Sequence, residues 1–230
     1  MRNYGQYCPV ARGAEILGDR WTLLIVREML FGPVGFTSLE RGLPGISRSV
    51  LAQRLRRLQR DGVIERMPEG KGAGYRFTAA GEQLRPVVQA LGDWVAGWVL
   101  TDPAPAELDP ELLTLWISRH INHDALPDRR VVVEFEFRDR RTRRCWLTLE
   151  PHDASVCLEH PGFPVDVTVR STTRALYRVY MGRTTLGHEV AGGSILLEGL
   201  PRMTRAFPRW MAWSNFASAA QRGVSATGQR

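Results

Sequence analysis

Hydrophobic residues recur at helical spacing through the first hundred positions, in short segments that glycine and proline separate. Four helices are predicted here, at residues 9–17, 19–29, 36–43 and 47–60. Asp19 and Ser47 are the expected N-caps of the second and fourth helices, and Thr37 and Glu40 stand at capping-box spacing in the third. The pattern predicts a small helical domain.

The fourth of these helices has one apolar side and one basic side. Leu51, Leu55 and Leu58 stand at i, i+4 and i+7, which predicts a stripe that faces a core. Polar and basic residues, together with one alanine, project from the opposite side and its shoulders, namely Ser47, Arg48, Ser49, Ala52, Gln53, Arg56, Arg57 and Arg60. Gln and Arg can pair with base edges, and shoulder arginines suit phosphates. The sequence therefore predicts a recognition helix, with a solvated helix face as the alternative.

A glycine-rich hairpin is predicted directly after this helix. Val63–Met67 and Tyr75–Phe77 have the composition of strands, and the loop 68–74 between them contains three glycines. A short helix, a tight turn, a basic helix and a hairpin, in that order, make a winged helix-turn-helix. Lys71 and Arg76 are expected to hold flanking DNA backbone or minor groove, and an ordinary hairpin is the alternative.

A longer helix is expected from a Thr78 cap to about Leu100, interrupted at Pro86. Its apolar stripe comprises Leu84, Val88, Leu91, Trp94, Val95 and Trp98. Such a stripe needs a partner, and a second protomer suits the two-fold symmetry of operators. Packing within its own domain or on a C-terminal domain is the alternative.

The second half of the chain has a different pattern. The segment TDPAPAELDP, residues 101–110, contains three prolines and predicts an extended connector. After it we expect a helix, four strands, two helices, a strand and a helix, with the sheet a meander. The predicted organisation is a DNA-binding and dimerisation domain at 1–102, a linker at 103–110, a second domain at 111–222 and a disordered tail at 223–230. The fold class is α+β.

Composition narrows the expected partners. The net charge of +7 and the high isoelectric point favour a polyanionic partner. Three cysteines without paired spacing and an N-terminus without a secretory pattern indicate the cytoplasm. The apolar run 21–31 is broken by Arg27 and Glu28, so no membrane span is expected.

Candidate enzyme chemistry is sparse. His120, His123 and Asp124 have a spacing that can bind a metal, although a polar helix end accounts for it better. The sequence contains no HExxH, Walker A, GxSxG or paired-cysteine zinc motif. We therefore expect neither an enzyme, nor a metal, nor a cofactor.

Several blocks of the first half carry a family resemblance. They are CPV at 8–10, LGDRWTLLIVREMLFG at 17–32, FTSLERGLPGIS at 36–47 and VLAQRLRRLQRDGVIER at 50–66. Together they resemble the HxlR family of bacterial winged-helix regulators. The resemblance implies a dimeric regulator that places the helix beginning at Ser47 in the major groove of operator DNA.

Cys8 stands where several members of that family carry a cysteine that senses oxidants or electrophiles. The start of a helix favours the reactive thiolate. A buried packing role is the alternative, since no resolving cysteine lies nearby in the sequence.

A looser resemblance covers residues 110–215. The runs DVTVRSTTRALYRVYMGR at 166–183 and EVAGGSILLEGLPRMTRAF at 189–207 are similar to the sterol-carrier-protein-like domain. The resemblance implies an α/β domain with a roughly five-stranded sheet covered by helices, and a cavity for a small hydrophobic effector. The expected lining residues are Trp116, Phe135, Trp146, Tyr177, Tyr180 and Trp210. A packed core that serves only as a dimerisation scaffold is the alternative.

The sequence as a whole predicts a homodimeric DNA-binding regulator, a repressor, whose DNA binding an apolar ligand in the second domain modulates. Redox sensing through Cys8, with the second domain a scaffold, is the first alternative. An enzyme or lipid carrier that uses the second-domain cavity is the other.

Overall fold

The computed structural model describes residues 4–68, 74–99 and 101–227, and the chain divides into two units. The first unit is Met1–Leu91 and the second is Gly92–Arg230. The division falls inside the helix predicted after the hairpin, upstream of the proline-rich segment. The boundary expected at 103–110 stays a prediction about independently folding domains.

The first unit consists of helices and one small sheet. Its elements are α1 (Pro9–Leu17), α2 (Thr22–Met29), α3 (Phe36–Gly42), α4 (Arg48–Arg60), β1 (Ile64–Arg66), β2 (Tyr75–Phe77), α5 (Ala79–Glu82) and the start of α6 (Arg85–Trp98). β1 and β2 pair antiparallel, and Val34 adds a bridge to Tyr75. The predicted order of helices and hairpin is confirmed. The predicted loop residues 69–73 lie outside the described residues.

The core of the first unit is aliphatic. Leu51, Leu55 and Leu58 of α4 are each at most 1% exposed and pack with Ile25 and Leu39 from α2 and α3. Full burial of a leucine side chain contributes about 1.5 to 3 kcal/mol relative to leaving it exposed. The leucine stripe therefore fixes which side of α4 faces inward.

A partly buried arginine, paired with a buried carboxylate, ties α2 to the end of α3. The Glu28 side chain is fully buried and accepts two hydrogen bonds from Arg27, at 2.7 and 3.1 Å. The same guanidinium donates to the carbonyl oxygen of Gly42 at 3.3 Å. The charge of Glu28 is thus paired, which burial of a carboxylate requires.

Two predicted helix caps are wrong. Asp19 does not cap α2, because its carboxylate pairs with arginines of α4, and α2 begins after Trp21 with no side-chain cap. Thr37 and Glu40 form no capping box, since Gly35 is the N-cap of α3 and Glu40 pairs with Arg48. The carboxylates of Asp19 and Glu40 are both held by tertiary ion pairs, which a local spacing rule does not detect.

The second unit contains a mixed sheet with helices. Beyond the end of α6, its elements are α7 (Pro110–Ser118), β3 (Val131–Arg138), β4 (Thr142–Glu150), β5 (Asp153–Cys157), β6 (Val167–Ser171), α8 (Thr173–Tyr180), α9 (Leu186–Ala191), β7 (Ile195–Gly199), α10 (Pro201–Trp210) and α11 (Ala217–Thr227). The predicted order from α7 to α10 is confirmed, and α11 was not predicted. The N-cap of α8 is Thr172, whose hydroxyl accepts a hydrogen bond from the Ala175 backbone N–H.

The predicted meander is wrong for the second half of the sheet. The strand order is β5-β4-β3-β6-β7, and β6 runs parallel to β3 while the other neighbours are antiparallel. A parallel neighbour requires a crossover, which the segment 158–166 provides. Alternation within each strand gives no information on which strand becomes its neighbour.

One face of this sheet forms the core of the second unit. Val133, Phe135 and Phe137 of β3 are completely buried there with Phe207 and Trp210 of α10. Paired positions of neighbouring strands share a face, and alternate positions along a strand change face. The opposite face of the sheet is polar in part.

The C-terminal helix packs on the later residues of α6. Ala96 is buried with Ala219 and Ala220, and Phe216 lies against this cluster. A Cβ at Gly223 would collide with the carbonyl oxygen of Gly97, so the two helices approach closely there. Residues 223–227 continue α11, and the disorder expected of residues 223–230 stays a prediction. Residues 228–230 lie outside the described part.

The proline-rich segment is attached to the second unit. Arg174 of α8 donates to the carbonyl oxygen of Pro103 at 2.9 Å and lies 3.7 Å from the carboxylate of Asp102. A short 3-10 helix follows at Pro105–Glu107, and Asp109 caps α7. Across the described ranges, no helix combines the length and apolar character needed to cross a bilayer.

Candidate nucleic-acid interface

A tight turn joins α3 to α4. Gly45 has a φ of +86°, a left-handed conformation that glycine adopts without a steric penalty. Ile46 is buried directly after it, and the Ser47 hydroxyl accepts a hydrogen bond from the Val50 backbone N–H. The turn thus has a hydrophobic anchor and a helix cap, and the predicted Ser47 cap is confirmed.

The outward side of α4 presents polar groups to solvent. Ser49, Gln53, Arg56 and Arg60 are exposed, and Ala52 is half-buried between them. Gln53, Arg56 and Arg60 form no hydrogen bond or ion pair with other described residues. Their donors and acceptors are therefore free for an external partner.

The environment of Arg57 differs from the predicted exposed position on the shoulder of α4. Its guanidinium is only 14% exposed, pairs with Asp19, donates to the Glu15 carbonyl oxygen, and lies 3.5 Å from Asp61. Because two carboxylates and a carbonyl group surround it, Arg57 holds α4 to the chain before α2. It does not present a phosphate-binding group, which corrects its assignment as a DNA contact.

Arg48 and Arg76 are exposed but paired. Arg48 lies 3.1 Å from Glu40 and stacks over the ring of Phe36. Arg76 pairs with Glu65 across the β1–β2 hairpin at 2.6 Å. Exposed ion pairs contribute little stability, so a phosphate can compete for either guanidinium. Lys71, the other predicted contact of the hairpin, lies outside the described residues.

The positive charge of the chain is concentrated in the first unit. Residues 1–91 contain 14 basic and 8 acidic residues, whereas residues 92–230 contain 17 basic and 16 acidic residues. Arg41 at the end of α3 and Arg66 in β1 are further exposed cations that the sequence analysis missed. Arg41 lies in the first helix of the helix-turn-helix and Arg66 in a strand of the hairpin, and these positions could have marked both as possible DNA contacts.

The predicted dimerisation stripe divides into three parts. Val88 is buried in the core of the first unit and Leu84 packs against that core, so neither is available to a partner. Leu91, Trp94 and Trp98 are 44%, 56% and 73% exposed and lie on one side of α6. Val95 is half-buried. The available stripe is therefore narrower than predicted, although Val87 extends it by a further exposed position.

Cys8 is the N-cap residue of α1 and is exposed. Hydrogen bonds from the backbone N–H groups of Ala11 and Val10 lower the pKa of its thiol. Burial, in contrast, raises the pKa of Cys145 to about 11. The alternative of a buried packing role for Cys8 is wrong, because Cys8, Pro9 and Val10 are exposed.

The six aromatic residues expected to line a cavity do not share one face. Phe135 and Trp210 are in the core, Tyr180 stacks with Trp116, and Tyr177 is half-buried beside this core. Trp146 pairs with Glu134 in the sheet and so lies on the opposite face from Phe135. This corrects the set, because neighbouring positions of a strand point to opposite sides.

The histidines of the expected polar helix end point to different partners. His120 Nδ1 lies 2.9 Å from the Trp116 carbonyl oxygen, and burial lowers its pKa. His123 Nδ1 lies 3.2 Å from the carbonyl oxygen of Glu150. In the described part of the chain, no group of three His, Cys, Asp or Glu side chains forms a metal site.

Comparison with known proteins identifies the first unit. The model of the HxlR-like helix-turn-helix family matches residues 16–103. The uncharacterized HTH-type transcriptional regulator YvaP of Bacillus subtilis is 34% identical over 106 residues, which cover 44% of this chain and 96% of YvaP. An uncharacterized HTH-type regulator of Mycobacterium tuberculosis is 42% identical over 88 residues, 37% of this chain and 55% of that protein. The match thus spans about half the length of the mycobacterial relative.

The regulator YodB of Bacillus subtilis is a further relative, 34% identical over 38% of this chain and 81% of its own length. Its reduced form superposes with a TM-score of 0.36, at 30% identity, over 41% of this chain and 96% of YodB. YodB is also known in quinone-bound and diamide-treated forms. The family match ends at residue 103, so the resemblance of the second unit to a sterol-carrier-like domain stays a prediction.

Neighbouring arginines of α4 are expected to differ in what they do for stability. Arg57→Ala should lower the free energy of unfolding by about 1 to 3 kcal/mol, because it removes a partly buried cation that pairs with Asp19 and Asp61. Arg56→Ala, one residue away and exposed, should change it by less than about 0.5 kcal/mol. Urea denaturation of the two variants beside the wild-type protein measures both values. Equal effects would contradict the inward role of Arg57.

Proposed function

The chain belongs to the HxlR-like helix-turn-helix family of transcriptional regulators, and we propose that it binds operator DNA through the exposed side of α4. The family assignment makes it a regulator rather than an enzyme. One observation carries the proposal. The leucine stripe of α4 is buried while Gln53 and Arg56, on its other side, are exposed and have no partner among the described residues.

The side chains on that surface suit base-edge contacts. Gln53 can donate and accept toward adenine, and Arg56 can donate two parallel hydrogen bonds to guanine. Ser49 is short and stands one turn before Gln53, where it can contact either base type. These residues would read sequence in the major groove.

Phosphate contacts would come from the edges of the same unit. Arg60 is exposed at the end of α4, and Arg48 and Arg76 can exchange their glutamates for phosphates. Ser47, at the end of the turn, is exposed, and its hydroxyl oxygen lies 3.1 Å from the hydroxyl oxygen of Ser49. Such contacts set the position of a protein on DNA but carry no sequence information.

The homodimer is part of this proposal. Two tryptophans and a leucine on one side of α6 leave a large apolar surface in water, which a protein normally covers. A second copy of α6 would bury it, and a two-fold dimer would present two copies of α4 to half-sites about one helical turn apart. A repressor role and modulation by an apolar ligand in the second unit stay predictions from the sequence.

Redox control through Cys8 is the second candidate function. The thiol is exposed, stands at a helix start, and has a lowered pKa, which are the conditions for a reactive thiolate. YodB, a relative of this chain, is known in reduced and diamide-treated forms. Oxidation or alkylation of Cys8 would then alter DNA binding.

The base-reading role of Gln53 can be measured on an operator selected from random DNA with the purified protein. Gln53→Ala should reduce the preference for the operator over random duplex by about 1 to 3 kcal/mol, because a base-edge contact is lost. Arg60→Ala should weaken binding to both DNAs to a similar extent, since it removes a phosphate contact. Fluorescence anisotropy at one fixed salt concentration gives both affinities. Parallel losses on both DNAs for Gln53→Ala would refute its assignment.

The apolar side of α6 can be tested with two matched leucines. Leu91 is 44% exposed on α6, and Leu196 is 45% exposed on β7. Leu91→Glu should convert the dimer to a monomer of 25.9 kDa, because it places a charge in the proposed interface. Leu196→Glu should leave the dimer intact. Analytical ultracentrifugation distinguishes the two species, and a wild-type monomer would exclude the proposed dimer.

Cys8 is expected to be the first cysteine to react. Iodoacetamide at neutral pH should label Cys8 well before Cys145, whose thiol is buried and has a pKa raised to about 11. Peptide mass spectrometry over time measures this order. If the redox function holds, diamide should change the DNA affinity of the wild-type protein and leave that of Cys8→Ser unaltered. An equal response of both proteins to diamide would exclude Cys8 as the sensor.

A further inference from the structure

The hairpin between β3 and β4 carries a dense group of arginines. The seven residues from Arg138 to Arg144 include five arginines and one aspartate, Asp139. The ladder closes at Arg138 opposite Thr142, so Asp139, Arg140 and Arg141 form the tip. Neither tip arginine was singled out by the sequence analysis.

The acidic residue of the tip is hydrogen-bonded to α8. The Asp139 carboxylate accepts hydrogen bonds from the backbone N–H and the hydroxyl of Thr173, in the first turn of α8. Thr173 itself is 1% exposed. The tip is therefore anchored to a helix, and its only carboxylate is engaged in these hydrogen bonds although Asp139 itself is exposed.

The arginines at the base of the hairpin are neutralised within the sheet. Arg138 and Arg144 lie 2.7 and 3.0 Å from the carboxylate of Glu136, which is 5% exposed. The Arg138 guanidinium lowers the pKa of Glu136, with Arg144 contributing in the same direction. These two cations are already paired with a buried acid, although their side chains are 52% and 54% exposed.

The tip arginines are not neutralised. Arg140 and Arg141 are exposed and form no ion pair or hydrogen bond with other described residues. Arg143 is 62% exposed and lies 3.8 Å from Glu111, an exposed pair that is easily exchanged. The hairpin therefore presents three guanidinium groups to the outside, two from the tip and one from β4, and guanidinium binds phosphate oxygens with two parallel hydrogen bonds.

Charge within the second unit is segregated. The residues of 92–230 outside 138–144 contain 12 basic and 15 acidic residues, which opposes a polyanion. The hairpin is a local exception of net charge +4 in seven residues. A polyanion would therefore be attracted to the hairpin and repelled by much of the remaining unit.

We propose that Arg140, Arg141 and Arg143 bind the phosphate backbone of duplex DNA outside the stretch that α4 contacts. The inference rests on the proposed function, because DNA held by the first unit is then present at a high effective concentration for the second. The contact is independent of base sequence, since it is made to phosphates. The second unit would thereby lengthen the DNA footprint of the regulator.

The test compares the salt dependence of binding to random-sequence duplexes of about 20 and about 50 base pairs, since each phosphate contact adds about 0.9 to the slope of log Kd against log salt. The full-length wild-type protein should show a steeper slope on the longer duplex. Arg140→Ser/Arg141→Ser should lower that slope by about 2 on the longer duplex. On the shorter duplex the double variant should resemble the wild-type protein.

Two control variants isolate the hairpin from net charge. Arg202→Ser/Arg205→Ser removes the same charge from exposed positions of α10 and should keep the wild-type slope on both duplexes. Arg140→Lys/Arg141→Lys keeps the charge and should retain most of the wild-type slope on the longer duplex. Thermal unfolding midpoints should be unchanged in the Ser variants, because the substituted side chains are exposed and form no ion pair or hydrogen bond with a described residue.

The outcomes separate the two proposals. An unchanged slope for the hairpin variant, or an equal loss for the α10 variant, would overturn the hairpin contact while leaving binding through α4 in place. A wild-type protein that binds neither duplex would overturn the proposed function itself. A loss confined to the hairpin variant and the longer duplex supports the inference.

Discussion

The burial of Leu51, Leu55 and Leu58 is the constraint on which the rest of the first unit depends. Three leucines at helical spacing cannot be buried without turning the opposite side of α4 to solvent, since the helix rotates about 100° per residue. The positions of Gln53 and Arg56 are a consequence of that rotation. Arg57, between the two sides, adds an ion pair with Asp19 that holds the helix in place. Packing thus decides which side chains of α4 are exposed.

Helix α6 serves three environments along and around its length. Its first turns contribute Val88 to the core of the first unit. Its later residues contribute Ala96 and Gly97 to a close contact with α11 in the second unit. A third side, with Trp94 and Trp98, is left in solvent. Small residues permit the helix contact, and large ones mark the side proposed for a second protomer, so side-chain size separates these roles.

Arginines in this protein differ in role according to the carboxylates around them. Arg57 and Arg138 pair with acids, and the local structure depends on those pairs. Arg56 is next to Arg57 in the sequence, and Arg140 is two residues from Arg138. Neither Arg56 nor Arg140 pairs with an acid in the described chain. Charge runs therefore indicate that cations are present. Only the tertiary neighbours decide which of them can bind phosphate.

The sequence by itself determined the elements, because hydrophobic periodicity and turn residues act locally. It predicted the order of helices and hairpin in the first unit, the Ser47 cap, and the helix-and-strand order from α7 to α10. Tertiary structure alone decided the crossover that places β6 beside β3, the inward turn of Arg57, and the packing of α11 on α6. These features depend on contacts between residues distant in the chain, and the spacing of residues within one element carries no information about them.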